Sequence, residues 1–274
     1  MDMKKNYRSF AVMLVVGVIS FLQACQKDDQ LSTQQEAVTL KSAGYLNNPV
    51  RTFYSPAQPV GNGVARAYVK ENYDGKPVAV GISLSEKALM NLPAEPAEYV
   101  LILPKNKGEN FYTLVGLDWN PQGHEPVIYY GKPHFDFHFY IIPDEERMAI
   151  PFLAPPQMDI APDLKYVPAG YIQTPGLVPE MGAHWVDVTS SEFQPGGTFT
   201  KTFIWGSYNG EFIFWEPMIT LDYLLTKPND LVTLRQPSAY QHDGYYATQY
   251  KVVYSDSPGM YTVELQNLVF QEGE

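Results

Sequence analysis

The sequence predicts a mainly β domain with antiparallel strands, arranged as a β-sandwich or barrel-like, with one or two short helices and a long Pro-rich loop. Three observations predict it. Apolar or alternating runs are short, at 64–70, 77–82, 98–103, 111–117, 126–130, 134–142, 198–208, 210–216, 246–255 and 260–270. Pro and Gly together supply 43 of the 274 residues, too many helix breakers for a bundle. Tyr (20) and Phe (14) dominate the aromatic content, which suits half-buried pleated strands. With 45% apolar residues the chain has enough material for a core and is not disordered.

Taken in order, the first residues read as an address. Lys4, Lys5 and Arg8 form a basic start, and Phe10 to Phe21 is an apolar run, too short for a spanning helix of about 20 residues but suited to a signal peptide. Leu22-Gln23-Ala24-Cys25 has the form of a bacterial lipobox, and Cys25 is the chain's one cysteine. The alternative is an ordinary signal peptide with a chance cysteine. Residues 1–24 are expected to be removed, and 25–44 to form a lipidated polar tether. Gln26-Lys27-Asp28-Asp29 resembles the export signal of surface-exposed outer-membrane lipoproteins. The expected partner is therefore the membrane, reached through the N-terminal lipid anchor. Residues 1–24 hold three bases and one acid, so the mature chain keeps 16 bases and 29 acids, a net charge of −13.

Residues 45–274 read as a single β-rich domain. Tyr208-Asn209-Gly210 is a tight-hairpin signal, and Ser255 to Gly259 joins the last two strands. Ser83-Leu84-Ser85-Glu86 has capping-box spacing before a short helix from Glu86 to Leu92, and Pro217 to Leu225 reads as a second helix. Residues 151–183 carry seven prolines and read as a long ordered excursion.

The chemistry concentrates in the histidines. In Pro133-His134-Phe135-Asp136-Phe137-His138-Phe139-Tyr140, strand alternation puts His134, Asp136 and His138 on one face and the three Phe on the other. A buried strand cannot carry unpaired imidazoles, and a metal ion would satisfy them. His124 in Gly123-His124-Glu125-Pro126, His184 in Met181-Gly182-Ala183-His184-Trp185, and Glu216 between Trp215 and Pro217 are further candidate ligands. One divalent site of His134, His138 and His184, completed or supported by Glu216 and His124, is expected. A mixed His/carboxylate set fits a divalent transition metal, zinc first. Asp136 can also orient a ligand imidazole. Glu125, Asp136 and Glu180 are candidate general bases. His242 lies in a turn and is set aside.

Other chemistries are excluded or carry no signal. A single cysteine excludes a disulfide framework and Cys-rich metal sites. The net charge of −11 argues against nucleic acid as a partner. No Gly-x-Ser-x-Gly occurs, and Gly61-Asn62-Gly63 lacks the rest of a dinucleotide fingerprint. The tyrosines from Tyr240 to Tyr261 suit strand packing better than a carbohydrate surface.

Across Asp118 to Thr220 the chain resembles a family of secreted bacterial proteins and lipoproteins built on a domain of unknown function. The likeness rests on the Gly-His-Glu-Pro, Pro-His-Phe-Asp-Phe-His-Phe-Tyr, Met-Gly-x-His-Trp and Glu-Pro-Met-Ile-Thr motifs. It runs through Trp119, Gly123, His124, Pro126, His134, Asp136, His138, Tyr140, Met181, Gly182, His184, Trp185, Asp187 and Glu216. The resemblance implies no activity. Pro179 to His184 also resembles part of the second cupin motif, an analogy weakened by the His-x-x-x-His spacing of the first.

The expected function is a cell-surface lipoprotein with a His/carboxylate metal site that supports hydrolase or lyase chemistry if one coordination position stays open. The alternatives are a non-catalytic metal- or ligand-binding lipoprotein, and a structural domain whose buried histidines are simply hydrogen-bonded. The small-molecule ligand and the oligomeric state are not specified by the sequence.

Overall fold

The computed structural model describes residues 50–105 and 111–274. The expected signal peptide, Cys25 and the expected tether lie outside the described residues. From the N-terminal side the strands are β1 (Arg51–Tyr54), β2 (Gln58–Val60), β3 (Gly63–Glu71), β4 (Pro77–Ser85), β5 (Ala97–Ile102) and β6 (Leu114–Asn120). Then come helix α1 (Val127–Tyr130), β7 (His134–Tyr140), helix α2 (Asp144–Arg147), β8 (Tyr171–Gln173) and β9 (Ala183–Asp187). The chain continues with β10 (Lys201–Tyr208), β11 (Glu211–Thr220), helix α3 (Leu221–Leu225), β12 (Asn229–Thr233), β13 (Gly244–Ser255) and β14 (Met260–Gln271).

Two antiparallel sheets result. One runs β1-β3-β4-β14-β13-β12, with β2 on β3; the other runs β5-β6-β7-β11-β10-β9-β8. The mainly β, sandwich-like expectation holds, and neither sheet closes into a barrel. Val69, Val80, Ile82 and Val263 from the first sheet share one buried core with Leu117, Phe135, Phe137, Phe139, Trp205 and Trp215 from the second. Tyr240, Tyr246, Tyr250 and Tyr261 belong to the same core, so these tyrosines pack rather than present a surface.

The Asn209-Gly210 turn forms as expected. Both residues take positive φ (52° and 87°), the requirement of a type I′ hairpin, and they join β10 to β11. Three local expectations need correction. The run 126–130 is not a strand: Val127–Tyr130 is a single helical turn, because a short apolar run does not distinguish the two states. The helix after Ser85 is only a 3₁₀ turn, Glu86–Leu89. Pro217 does not start a helix but sits inside β11, so α3 begins at Leu221; with α2 this makes three short α-helices among the described residues, where one or two were expected. The β7 pairing of β11 steps from Trp215↔Phe139 to Met218↔Asp136, skipping the Glu216 and Pro217 positions. Proline has no N–H to give that ladder.

The first sheet buries one charged knot. Glu264 accepts from the Tyr68 hydroxyl (2.6 Å) and meets Lys70 (2.5 Å) and Lys251 (2.7 Å). Burial opposes its charge, but Lys70 and Lys251 outweigh that and hold the carboxyl below its ordinary value. A depressed folded value means the stabilisation is present above the unfolded pKa, about 4.3, and is lost as pH falls through the folded value. Glu264→Gln should therefore cost most at pH 7 and progressively less on acidification, read by urea unfolding at each pH. A cost that does not change with pH would contradict the pairing.

Candidate metal centre

Strand β7 is central in the second sheet, and all seven of its residues are buried. Its odd positions point into the core between the sheets. Its even positions, His134, Asp136, His138 and Tyr140, face outward. They are covered there by two small apolar clusters, one around Tyr140, Ile150 and Phe214, the other around Tyr130, Phe199 and Met218. The polar row is thus sealed at both ends, which makes every unpaired polar atom in it costly.

The neighbouring strands complete the row. Register sets Asp118 beside Asp136 and Asn120 beside His134 on β6. On the other flank β11 brings Glu216, and β9 brings His184, which pairs with Gly206 of β10. Gly206 is required sterically, since a Cβ there would sit 1.9 Å from the Phe214 ring. That ring packs edge-on against both His138 (5.0 Å) and His184 (5.5 Å), so Gly206 seats the wedge between the two imidazoles. His124 arrives from the turn after β6, where Gly123 holds φ 72°.

Among the described residues two sets of ligand-type atoms form, each within 4.8 Å of one another: His124, His134 and Asp136, and His138, His184 and Glu216. Either set can hold a metal ion. The expected single site of His134, His138 and His184 is therefore not what assembles. Four residues of strand separate the Cα atoms of His134 and His138 by about 13 Å at ~3.3 Å per residue, so each imidazole turns to a different partner set. In the first set Asp136 Oδ1 lies 3.1 Å from His134 Nε2, and Oδ2 lies 3.6 Å from His124 Nε2. In the second, Glu216 Oε1 lies 3.4 Å from His138 Nε2, and Oε2 lies 3.7 Å from His184 Nε2.

The second ring nitrogens are also engaged. His124 Nδ1 is 2.8 Å from the Glu125 carbonyl, and His134 Nδ1 is 2.6 Å from that of Lys132. His138 Nδ1 lies 3.0 Å from Asp118 Oδ2, and the His184 ring hydrogen-bonds the Gly182 backbone. Asn120 donates to Asp136 Oδ2 (2.7 Å). The atoms facing one another meet as charge pairs at 3.1–3.7 Å. His134 Nε2, Asp136 Oδ1, both ring nitrogens of His138 and Glu216 Oε2 are buried, and their contacts among the described residues are ion-pair contacts rather than well-aligned hydrogen bonds.

Charge follows the same geometry. Burial disfavours the charged form of His124, but the Asp136 hydrogen bond and charge overcome it and raise its pKa to about 9. At His138 burial is likewise outweighed, here by Glu216 and Asp118, again giving about 9. Burial and the His138 and His124 charges depress His184 to about 3. Burial lifts the Glu216 carboxyl well above the usual carboxylate range. Asp136 goes the other way: burial opposes its charge, but His134 and His124 hold it well below that range.

The remaining candidates lie elsewhere. Glu125 is exposed and accepts from the Val127 backbone N–H (3.1 Å), so it shapes the α1 turn. Glu180 pairs with Arg147 (2.9 Å), which also binds Glu98 and Asp144 and so pins the 151–183 excursion. His242 is 3.5 Å from Glu211, away from both sets. Asp118 and Asn120 escaped the sequence reading. Their signal was the alternation in Leu114–Asn120, which puts both on one face, but only register shows that this face adjoins His134 and His138.

Residues 72–119 match the family model described as TTHB210-like, hypothetical protein TTHB210. The matched stretch supplies Asp118 and none of the four imidazoles. No curated protein and no solved structure matches the chain significantly.

Proposed function

We propose that this protein is a lipid-anchored surface protein of the bacterial outer membrane that binds divalent transition metal ions, zinc first, and uses them for hydrolysis. One observation carries the metal reading: nitrogen and oxygen ligand atoms, most of them buried, converge within 4.8 Å of one another in two sets. Each set offers two imidazoles and one carboxylate, three ligands where a closed tetrahedral zinc site takes four. A zinc ion held by three protein ligands keeps a position for water and lowers that water's pKa to about 7.

The chain's own residues have defined parts. His134 and His138 are fully buried and fix the sets. His124 and His184 have side chains 38% and 17% exposed, which leaves each set one approach from solvent. Asp118 and the Lys132, Glu125 and Gly182 carbonyls orient the rings by holding their other nitrogens.

Protein purified without a His-tag should contain, after zinc loading and gel filtration, two ions per chain by elemental analysis. Less than about a tenth of an equivalent of any transition metal would end the metal reading. Iron or nickel at the same stoichiometry would replace zinc while keeping the sites. Ester hydrolysis across a carboxylic- and phosphoric-ester panel should vanish with chelator and return with zinc. Metal binding without chelator-sensitive turnover would leave a binding protein. For the address, Cys25→Ala should move the protein from the membrane fraction to the soluble one; continued sedimentation with membranes would contradict lipidation.

A further inference from the structure

The two ligand sets carry the same donors, two imidazoles and one carboxylate each, so donor chemistry alone does not rank them. What differs is the backbone beneath them. His138, Glu216 and His184 stand on β7, β11 and β9, which β10 ties into one hydrogen-bonded ladder. The His184 carbonyl also accepts from the Thr174 backbone N–H (2.8 Å), and the Phe214 ring wedges between the two imidazoles. The backbone of that set moves only if strand pairing breaks.

The other set is built differently. His134 and Asp136 lie on β7, but His124 arrives on the turn of residues 121–133 that joins β6 to β7. The hydrogen bonds of this turn are mostly its own. The Gly123 N–H donates to the Asn120 carbonyl (3.2 Å), that of His124 to the Tyr130 carbonyl (3.2 Å), and those of Tyr129 and Tyr130 to the Pro126 carbonyl (2.9 and 3.0 Å). Tyr129 and Tyr130 rest on Phe193 and Phe199, but Val127 and Ile128 are 57% and 84% exposed, and Tyr130 is the one buried residue of α1. The His124 ring meets its own set through Nε2, 3.6 Å from Asp136, and edge-on to His134 at 4.7 Å. A segment with few buried apolar side chains opens at low free-energy cost.

Resting on the metal reading above, we propose that His124 is a swinging ligand and its turn a metal-operated latch. The His138, His184 and Glu216 set is preformed and holds its ion tightly. The His124, His134 and Asp136 set is complete only when the turn closes on β7, so it binds more weakly and responds to the metal level. Apparent affinity falls by the fraction of time a site is assembled, so a turn closed about a tenth of the time weakens binding ~tenfold.

Zinc titration of the metal-free whole chain against a chelating dye should show two steps of one equivalent each. The second should be at least about tenfold weaker, with both ions still retained through gel filtration. Hydrogen exchange of the wild-type chain at zero, one and two equivalents should show the Gly123, His124, Tyr129 and Tyr130 amides slowed at least about tenfold by the second equivalent and not by the first. His124→Ala should remove the weaker step and leave the stronger within about twofold. Two ions bound in a single step, protection of the turn by the first equivalent, or loss of the stronger step in His124→Ala would each overturn the latch while leaving the metal reading intact. Zinc bound at neither step would overturn the metal reading and the latch with it. The wild-type exchange decides the matter even if the variant fails to fold.

Discussion

His138→Ala should reduce bound zinc from two ions per chain to one and weaken binding at its own set by more than about 100-fold. Supporting contacts alone are worth 10–100-fold in metal affinity, and His138 is a proposed ligand rather than a support. The second ion should remain, because His124, His134 and Asp136 form a separate set. His134→Ala should give the mirror result. Competition with a zinc-sensitive chelating dye reads both affinities in one titration. If either substitution abolished both ions together, the sets would be one site, and the division drawn from strand geometry would be wrong.

The opposite face of the same strand gives the second large effect. Phe137 is completely buried between the sheets and belongs to their shared core. Phe137→Ala should cost ~3–5 kcal/mol, the sum of lost transfer energy and the cavity left behind. Because residue 137 points away from the imidazoles, zinc stoichiometry should stay at two wherever the variant is folded. Urea unfolding measures the first quantity and elemental analysis the second. A loss below ~1 kcal/mol would show that the aromatic face is not the buried one. Together, the two substitutions test the alternation of β7 one residue apart.

That alternation was legible in the sequence because a strand has period two and the row His-Phe-Asp-Phe-His-Phe follows it without interruption. The Asn-Gly hairpin was legible for a similarly local reason, the need for two positive φ values. What stayed hidden depends on register or on distance. The four-residue gap between His134 and His138 looks small in sequence, yet in extended chain it is wider than any coordination sphere. His184 was recognised as a ligand type, but its place on β9 follows from pairing with β10, which nothing local encodes. Asp118 and Asn120 matter because β6 lies beside β7, again a matter of register. Val127–Tyr130 was misread because four apolar residues fit a strand and a helical turn equally. Pro217 was misread because proline normally avoids strand interiors; here it coincides with the skipped pairs beside Glu216.

Anomalous diffraction from a zinc-soaked crystal, recorded on both sides of the zinc edge, tests the central claim most directly. Two peaks are predicted, one enclosed by His138, His184 and Glu216 and one by His124, His134 and Asp136, each with the imidazole Nε2 atoms at ~2.0–2.1 Å. The account is contradicted if both positions lack anomalous signal and the imidazoles are seen hydrogen-bonded directly to Asp136 and Glu216.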